Sequence, residues 1–148
     1  MNSAGTITFQ SLHTPFRLQQ RTAVRLWLTK CLAERNQTPG ELNFMFTTDE
    51  EVLRLNQQHL NHDYFTDILT FPMPSGQGIS ADLVLSIDRI RENAKTLGNN
   101  TIDETHRVMA HGILHLIGHN DDTLAAQQKM RAAEDHWLSN KARPTTTN

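Results

Sequence analysis

Two histidines and an aspartate in the last third of the chain have the types and spacing of a metal site. His111 and His115 are four residues apart, so on a helix their side chains project from one face, about one turn apart. Gly118 can take the left-handed conformation that ends a helix and turns the chain back, which would bring Asp121 to the same ion. Two imidazoles and one carboxylate would hold one divalent ion, zinc, with a coordination position left open.

Two further histidines lie close to this group in the sequence. His119 is a rival third ligand, but it follows Gly118 by one residue and has little chain with which to fold back, so Asp121 is preferred. His106 lies about 140° round the helix from His111 and should point elsewhere.

The residue after the first histidine is unexpected for a zinc protease. The spacing matches the metzincin arrangement, but the glutamate that serves such proteases as general base is replaced by Gly112. A glycine inside a helix costs about 1 kcal/mol relative to alanine. Gly112 therefore indicates close approach of a backbone or a substrate, or tight packing of the helix.

The patterns along the chain predict an α+β fold in one domain. We expect strands at 6–10, 41–48, 66–72 and 82–87 and helices at about 16–35, 48–59, 86–97, 101–118 and 123–138. Thr48 with Glu51 and Thr101 with Glu104 form capping boxes. This order predicts a small mixed sheet of four to five strands packed with helices, with the metal site on a helix of the C-terminal half. Residues 1–140 form the domain, and 141–148 are expected to be a disordered tail.

Charge and cysteine content narrow the classes of function. The net charge of -2 provides no global field for nucleic acid, so an RNA partner must be held by a local patch or by another protein. Arg17, Arg21 and Arg25, spaced by four on the first predicted helix, could follow phosphates or form a solvated flank. The single cysteine, Cys31, fits a reducing cytoplasm, and the absence of an apolar run of about 18 residues predicts no membrane span.

Three blocks of the sequence together resemble one known family. They are LNQQHLNHDYFTDILTFP (55–72), SADLVLSIDRIRENA (80–94) and HGILHLIGHND (111–121). In the same order, they are similar to blocks of the YbeY family, metal-dependent endoribonucleases of bacterial ribosomal RNA maturation. The resemblance implies a small mixed sheet flanked by helices, which agrees with the fold predicted from the patterns.

By resemblance, the three metal ligands of that family correspond to His111, His115 and Asp121. The commonest family pattern has a histidine as third ligand. An aspartate adds negative charge, which should make a bound water less acidic and loosen the preference for zinc towards manganese or magnesium.

A second departure from the family pattern concerns a cation. The family's nuclease activity is linked to an arginine after an aromatic residue, and the corresponding residues here are His59 and Leu60. An arginine could stabilise the charge on a phosphorane, whereas Leu60 cannot. His59, His62 and Arg107 are candidate substitutes; otherwise hydrolysis is weak.

Thr66 and Asp67 match the family pattern and are candidate catalytic residues. They would orient substrate or ligands near the metal, or satisfy backbone groups at the start of a strand.

Three functions follow as hypotheses. The first is a metal-dependent endoribonuclease for single-stranded RNA, acting in 3′-end maturation of small-subunit (16S) ribosomal RNA and in ribosome quality control, with the small subunit and ribosome-associated proteins as partners. The second is a non-catalytic ribosome assembly factor that keeps the metal for structure, which Leu60 favours. The third is a metalloprotease, which Gly112 weakens.

Overall fold

The helices and strands follow one another in the order that the sequence predicts. A computed structural model describes residues 5–62, 65–74 and 76–141. Within these ranges the order of elements is β, α, β, α, β, β, α, α, α, which confirms the α+β prediction. None of the helices in these ranges has the length and apolar character needed to cross a membrane.

The four strands in these ranges form one mixed sheet. They are β1 (Thr6–Ser11), β2 (Pro39–Thr47), β3 (Ile68–Pro72) and β4 (Ile79–Ser86), and they lie in the order β1-β2-β4-β3. β1, β2 and β4 are parallel, and β3 pairs antiparallel with β4. The edge position of β3 suits its final proline, which has no N–H to donate to a neighbouring strand.

The helices cover both faces of the sheet. They are α1 (Arg21–Ala33), α2 (Asp49–Leu60), α3 (Ile87–Leu97), α4 (Thr101–Leu116) and α5 (Leu124–Ser139). Side chains of α1, α3, α4 and α5 share the main hydrophobic core with Leu83 and Leu85 of β4. On the opposite face, α2 packs Val52 against Val84, because successive side chains of a strand point to opposite faces.

Several helix ends are those predicted from sequence. At the start of α2, Oγ1 of Thr48 accepts a hydrogen bond from the N–H of Glu51. At the start of α3, Oγ of Ser86 accepts one from the N–H of Arg89. α3 ends at Gly98, whose φ of 73° is a conformation that favours glycine.

The predicted cap of α4 is wrong by one residue. The N-cap is Asn100, whose side chain accepts a hydrogen bond from the N–H of Asp103. Thr101 is therefore the first helical residue, and Glu104 is buried instead of closing a capping box. Asparagine is as good an N-cap as threonine, so the local pattern allowed both solutions.

The predicted start of α1 is also wrong. The helix begins at Arg21, because Gln20 is left-handed (φ 56°) and Phe16 packs against the main core from a non-helical segment. Arg17 precedes the helix, so the predicted row of three helical arginines does not form. Arg25 donates from Nε to a backbone carbonyl of β1 at 2.8 Å, which engages it within the fold.

The end of the described chain is attached to α4. Lys141, which we assigned to the tail, donates hydrogen bonds from Nζ to Oδ1 of Asp103 at 3.1 Å and to Nδ1 of His106 at 2.9 Å. The rest of the predicted tail, 142–148, lies outside the described residues.

Candidate metal centre

Helix α4 places His111 and His115 side by side at the edge of the core. The centroids of the two rings are 4.7 Å apart, and the ring planes are nearly perpendicular, at 82°. Both side chains are partly exposed, whereas Met109, Ile113 and Leu114 of the same helix are buried in the main core. The apolar pattern of α4 therefore fixes which way the histidine pair faces.

The segment after α4 brings Asp121 back to this pair. The turn uses Gly118, whose φ of 113° is rarely available to residues with a side chain. Oδ2 of Asp121 lies 3.7 Å from Nε2 of His111 and 3.5 Å from Nε2 of His115. One ligand atom from each of the three residues lies within 4.8 Å of the other two.

The donor atoms of these three residues fit a single divalent ion. Zinc binds imidazole nitrogen and carboxylate oxygen at about 2.0–2.2 Å, so ligand atoms around a tetrahedral ion lie roughly 3.3–3.6 Å apart. The two distances from Asp121 are close to this range. Imidazole suits zinc, while the carboxylate also admits manganese or magnesium. A three-residue set leaves one coordination position open.

A buried glutamate of α5 holds the far side of His111. Nδ1–H of His111 donates to Oε2 of Glu134 at 2.6 Å, since the carboxylate has no proton to donate. Nη1 of Arg107 donates to the other oxygen of Glu134 at 2.9 Å, and its Nη2 donates to Asp135 at 2.7 Å. Glu134 is only 4% exposed. Protonation of Nδ1 leaves the lone pair on Nε2, the atom that faces Asp121.

Glu134 is not among the residues that we predicted from sequence, although the sequence carries a signal for it. It lies on the buried stripe of α5 with Met130, Ala133 and Trp137, at the spacing i, i+3, i+4, i+7. Glutamate is almost never fully buried unless it is paired. An acidic residue on an otherwise apolar helix face therefore indicates a partner, here a histidine and an arginine of α4.

The carboxylates around His111 outweigh the effect of its burial. Burial by itself lowers the pKa of His111, but the hydrogen bond and charge of Glu134, aided by other carboxylates, raise that pKa above its usual value. Burial likewise opposes the charge of Arg107, but the hydrogen bonds that it donates to Asp135 and Glu134 raise its pKa. The pKa of Asp67 is raised by its burial, which the nearby His111 only partly offsets. This excess of acidic groups favours a cation.

Two cavities meet at His111, Asp67 and Asp121. The larger, about 730 Å³, lies between the end of α2, strand β3 and α4, and His115 and Thr66 also line it. The smaller, about 300 Å³, lies between α3, α4 and α5. All three candidate ligands border the larger cavity, so a molecule in it could reach an ion held there.

The rival ligand His119 and the neighbouring His106 are both engaged elsewhere. Nη1 of Arg35 donates to Nε2 of His119 at 3.0 Å. His106 lies with its ring centroid 5.4 Å from that of Trp27 and accepts a hydrogen bond from Lys141. His106 thus faces away from the centre, as its position on the helix predicts.

Gly112 lets α4 approach the sheet closely. A Cβ at this position would lie 2.6 Å from Cδ1 of Ile68 and 2.9 Å from Cδ2 of Leu83, both shorter than van der Waals contact. A larger residue would force the ends of these two side chains to shift, so the glycine favours close helix–sheet packing. At this position the chain also lacks the glutamate that serves an HExxH protease as general base.

Comparison with known proteins matches almost the whole chain to one family. The profile of the family described as endoribonuclease YbeY matches residues 7–142. The chain belongs to the YbeY family. A Cytophaga hutchinsonii protein named endoribonuclease YbeY is 42% identical over 135 residues, which cover 90% of this chain and 94% of the relative. A Porphyromonas gingivalis protein of the same name is 40% identical over 119 residues, covering 80% of this chain and 79% of the relative.

A solved structure agrees with the fold of this YbeY family member. The solution structure of a Thermotoga maritima protein superposes with a TM-score of 0.64 and 22% sequence identity, covering 91% of this chain and 88% of that one. This likeness supports the arrangement of helices and strands. The family profile and the curated relatives confirm the family resemblance.

Leu60 occupies the position where the YbeY resemblance leads us to expect arginine. It is 39% exposed and lines the larger cavity. Among the three candidate substitutes, Arg107 borders the smaller cavity and is bound to two carboxylates of α5. His59 packs edge-on against Phe71, with centroids 5.8 Å apart. His62 borders the larger cavity.

Thr66 and Asp67 lie directly before β3, beside the candidate metal centre. Both line the larger cavity. The carbonyl of Asp67 accepts a hydrogen bond from the N–H of Ser86 at 2.9 Å, and its Oδ2 lies 3.5 Å from Nδ2 of Asn93. The backbone of Asp67 thus fixes the strand, while its carboxylate faces the site.

Proposed function

We propose that this protein is a metal-dependent endoribonuclease that cleaves single-stranded ribosomal RNA, with one Zn²⁺ held by His111, His115 and Asp121. The observation that carries the proposal is the convergence of these side chains on a cavity, in a chain whose relatives are named endoribonucleases. When bound, the ion would supply Lewis acidity towards a phosphate oxygen or a water molecule.

Asp67 is the candidate general base. Its carboxylate lines the same cavity as the three ligands, and its raised pKa makes it a better proton acceptor than an ordinary aspartate. It would accept the proton of the attacking hydroxyl, which is either water or the ribose 2′-OH, and the departing ribose oxygen would take up a proton from solvent. Thr66, beside it, would orient the phosphate through its hydroxyl.

The proposed substrate is the 3′ end of small-subunit (16S) ribosomal RNA, in its maturation and in ribosome quality control. The resemblance to the family supports this choice, and the net charge of -2 supports docking on the small subunit or on ribosome-associated proteins as the source of affinity. The proposed location is the cytoplasm, which suits the free, buried thiol of Cys31.

A second candidate function is a non-catalytic assembly factor that retains the metal for structure. Leu60 favours it, because an apolar side chain stands in the cavity where the resemblance leads us to expect arginine. The metalloprotease hypothesis loses its support for two reasons. Gly112, which stands in place of the catalytic glutamate, packs against the sheet, and the relatives of the chain are named endoribonucleases.

Cleavage of a ribosomal RNA 3′-end fragment tests the proposed activity. Wild type, His115→Ala and His136→Ala would be purified in parallel. His136 is an exposed histidine of α5 that bonds to Glu34 at 3.0 Å and borders neither cavity, so its variant controls for loss of a histidine.

We expect cleavage by wild type and by His136→Ala and none by His115→Ala. Equal cleavage by all three preparations would point to a contaminating nuclease and reject the proposed site. If wild type binds zinc but does not cleave, even with small ribosomal subunits added, the assembly-factor function is favoured.

A further inference from the structure

We propose that Glu134 is a positioning residue that sets the tautomer and the orientation of His111, and so determines how tightly the centre holds its metal. This inference rests on the proposed metal centre. It concerns a residue on α5, which supplies none of the three candidate ligands.

The two oxygens of Glu134 have different tasks. Oε2 accepts a hydrogen bond from Nδ1 of His111 at 2.6 Å, and Oε1 accepts one from Arg107 at 2.9 Å. Because Arg107 is also bound to Asp135 at 2.7 Å, the carboxylate of Glu134 is fixed in plane and direction. His111 therefore cannot turn its ring without breaking a short, charge-assisted hydrogen bond.

This arrangement specifies which nitrogen of His111 can bind a metal. With the hydrogen on Nδ1, the lone pair is on Nε2, and Nε2 faces Asp121 at 3.7 Å. Carboxylates that accept from the distal nitrogen of a ligating histidine have this effect in many metal sites, and they also make the imidazole a better ligand.

Glu134 also compensates a positive charge behind the site. Arg107 lies one helical turn before His111 on α4, and its side chain is largely buried. Without Glu134, that buried guanidinium would oppose a divalent cation at His111, since screening by water is weak there. The negative charge of Glu134 thus offsets the positive charge of Arg107, which would otherwise weaken metal binding at His111.

The chain offers a matched pair of variants to test this inference. Glu134→Gln and Asp135→Asn each remove one carboxylate that binds Arg107, but Glu134 alone of the two contacts His111. The affinity of each protein for Zn²⁺ would be measured by competition with a chromophoric chelator, with circular dichroism to verify folding. His115→Ala reports loss of a direct ligand.

We expect Glu134→Gln to weaken zinc binding by about 10- to 100-fold. Asp135→Asn should weaken zinc binding by no more than about threefold, because the side chain of Asp135 is 59% exposed. Equal affinities of the two variants would overturn the positioning role. If wild type binds zinc no better than His115→Ala, the proposed metal centre itself fails, and the role of Glu134 fails with it.

Nitrogen-15 NMR of the histidine rings in zinc-loaded wild type provides a second test that needs no variant to fold. We expect His111 to show a slowly exchanging proton on Nδ1 and the shift of a metal-bound nitrogen at Nε2. A purely structural Glu134–Arg107 pair would not determine this tautomer. Coordination through Nδ1 would contradict the inference.

Discussion

Acid should destabilise the protein through His106, which is buried beside a lysine. His106 is 9% exposed and packs against Trp27, and its Nδ1 accepts a hydrogen bond from Nζ of Lys141 at 2.9 Å. Burial, followed by the charge of Lys141, lowers the pKa of His106 from 6.5 to about 4, while Asp103 opposes the shift. The folded protein thus excludes a proton that the unfolded chain accepts.

The size and the direction of the effect follow from these two pKa values. Above pH 6.5, His106 is neutral in both states and does not affect the free energy of unfolding. As the pH falls from 6.5 towards 4, the unfolded chain binds the proton first, and the stability of the folded state decreases. With a pKa of about 4 when folded and 6.5 when unfolded, the loss between pH 8 and pH 5 is about 2 kcal/mol.

Urea unfolding of wild type and His106→Gln at pH 8, 6.5 and 5 measures this loss. The glutamine amide oxygen can accept from Lys141 but does not titrate, and EDTA in all samples removes any contribution of metal release. We expect the stability advantage of wild type to shrink by about 2 kcal/mol from pH 8 to pH 5. A difference that stays constant across this range would refute the reasoning, because all other groups titrate in both proteins.

Three further substitutions test separate parts of the site. Leu60→Arg should raise the initial rate of ribosomal RNA cleavage by about tenfold or more, because it returns a cation to the larger cavity; an unchanged rate would mean that the position faces no phosphate. Asp121→Ala should lose most of its zinc by elemental analysis while Asp122→Ala keeps it, and full occupancy of the former would remove Asp121 from the ligand set. Gly112→Ala should lower the free energy of unfolding in urea by about 1 kcal/mol, because overpacking against the sheet costs about 1–3 kcal/mol and helix propensity returns about 1 kcal/mol. A gain in stability would contradict this last prediction.

Local patterns were sufficient to predict most of the fold and the geometry of the histidine pair. The spacing of His111 and His115 places both on one helix face, and Gly118 supplies the turn that brings Asp121 to them. These relationships span only a few residues, so the helical period determines them. Whether the three residues bind metal stays a prediction.

Local sequence patterns could not predict contacts between elements that lie far apart in the sequence. Glu134 reaches His111 only because α5 packs against α4, and that packing depends on the whole core. The predicted start of α1 was wrong for a related reason: Phe16 and Leu18 pack in the core, but from a non-helical segment that the left-handed Gln20 separates from the helix. Tertiary burial overrode local propensity there.

Titration of Zn²⁺ into metal-free protein during cleavage of a ribosomal RNA 3′-end fragment tests the central claim most directly. A nuclease with one metal centre predicts no cleavage in EDTA, a linear rise with added zinc, and a plateau at one ion per chain. A parallel titration of His115→Ala tests whether cleavage also requires this ligand. The variant should stay inactive when one equivalent of Zn²⁺ has been added. Full cleavage by the metal-free wild type would contradict a metal-dependent endoribonuclease.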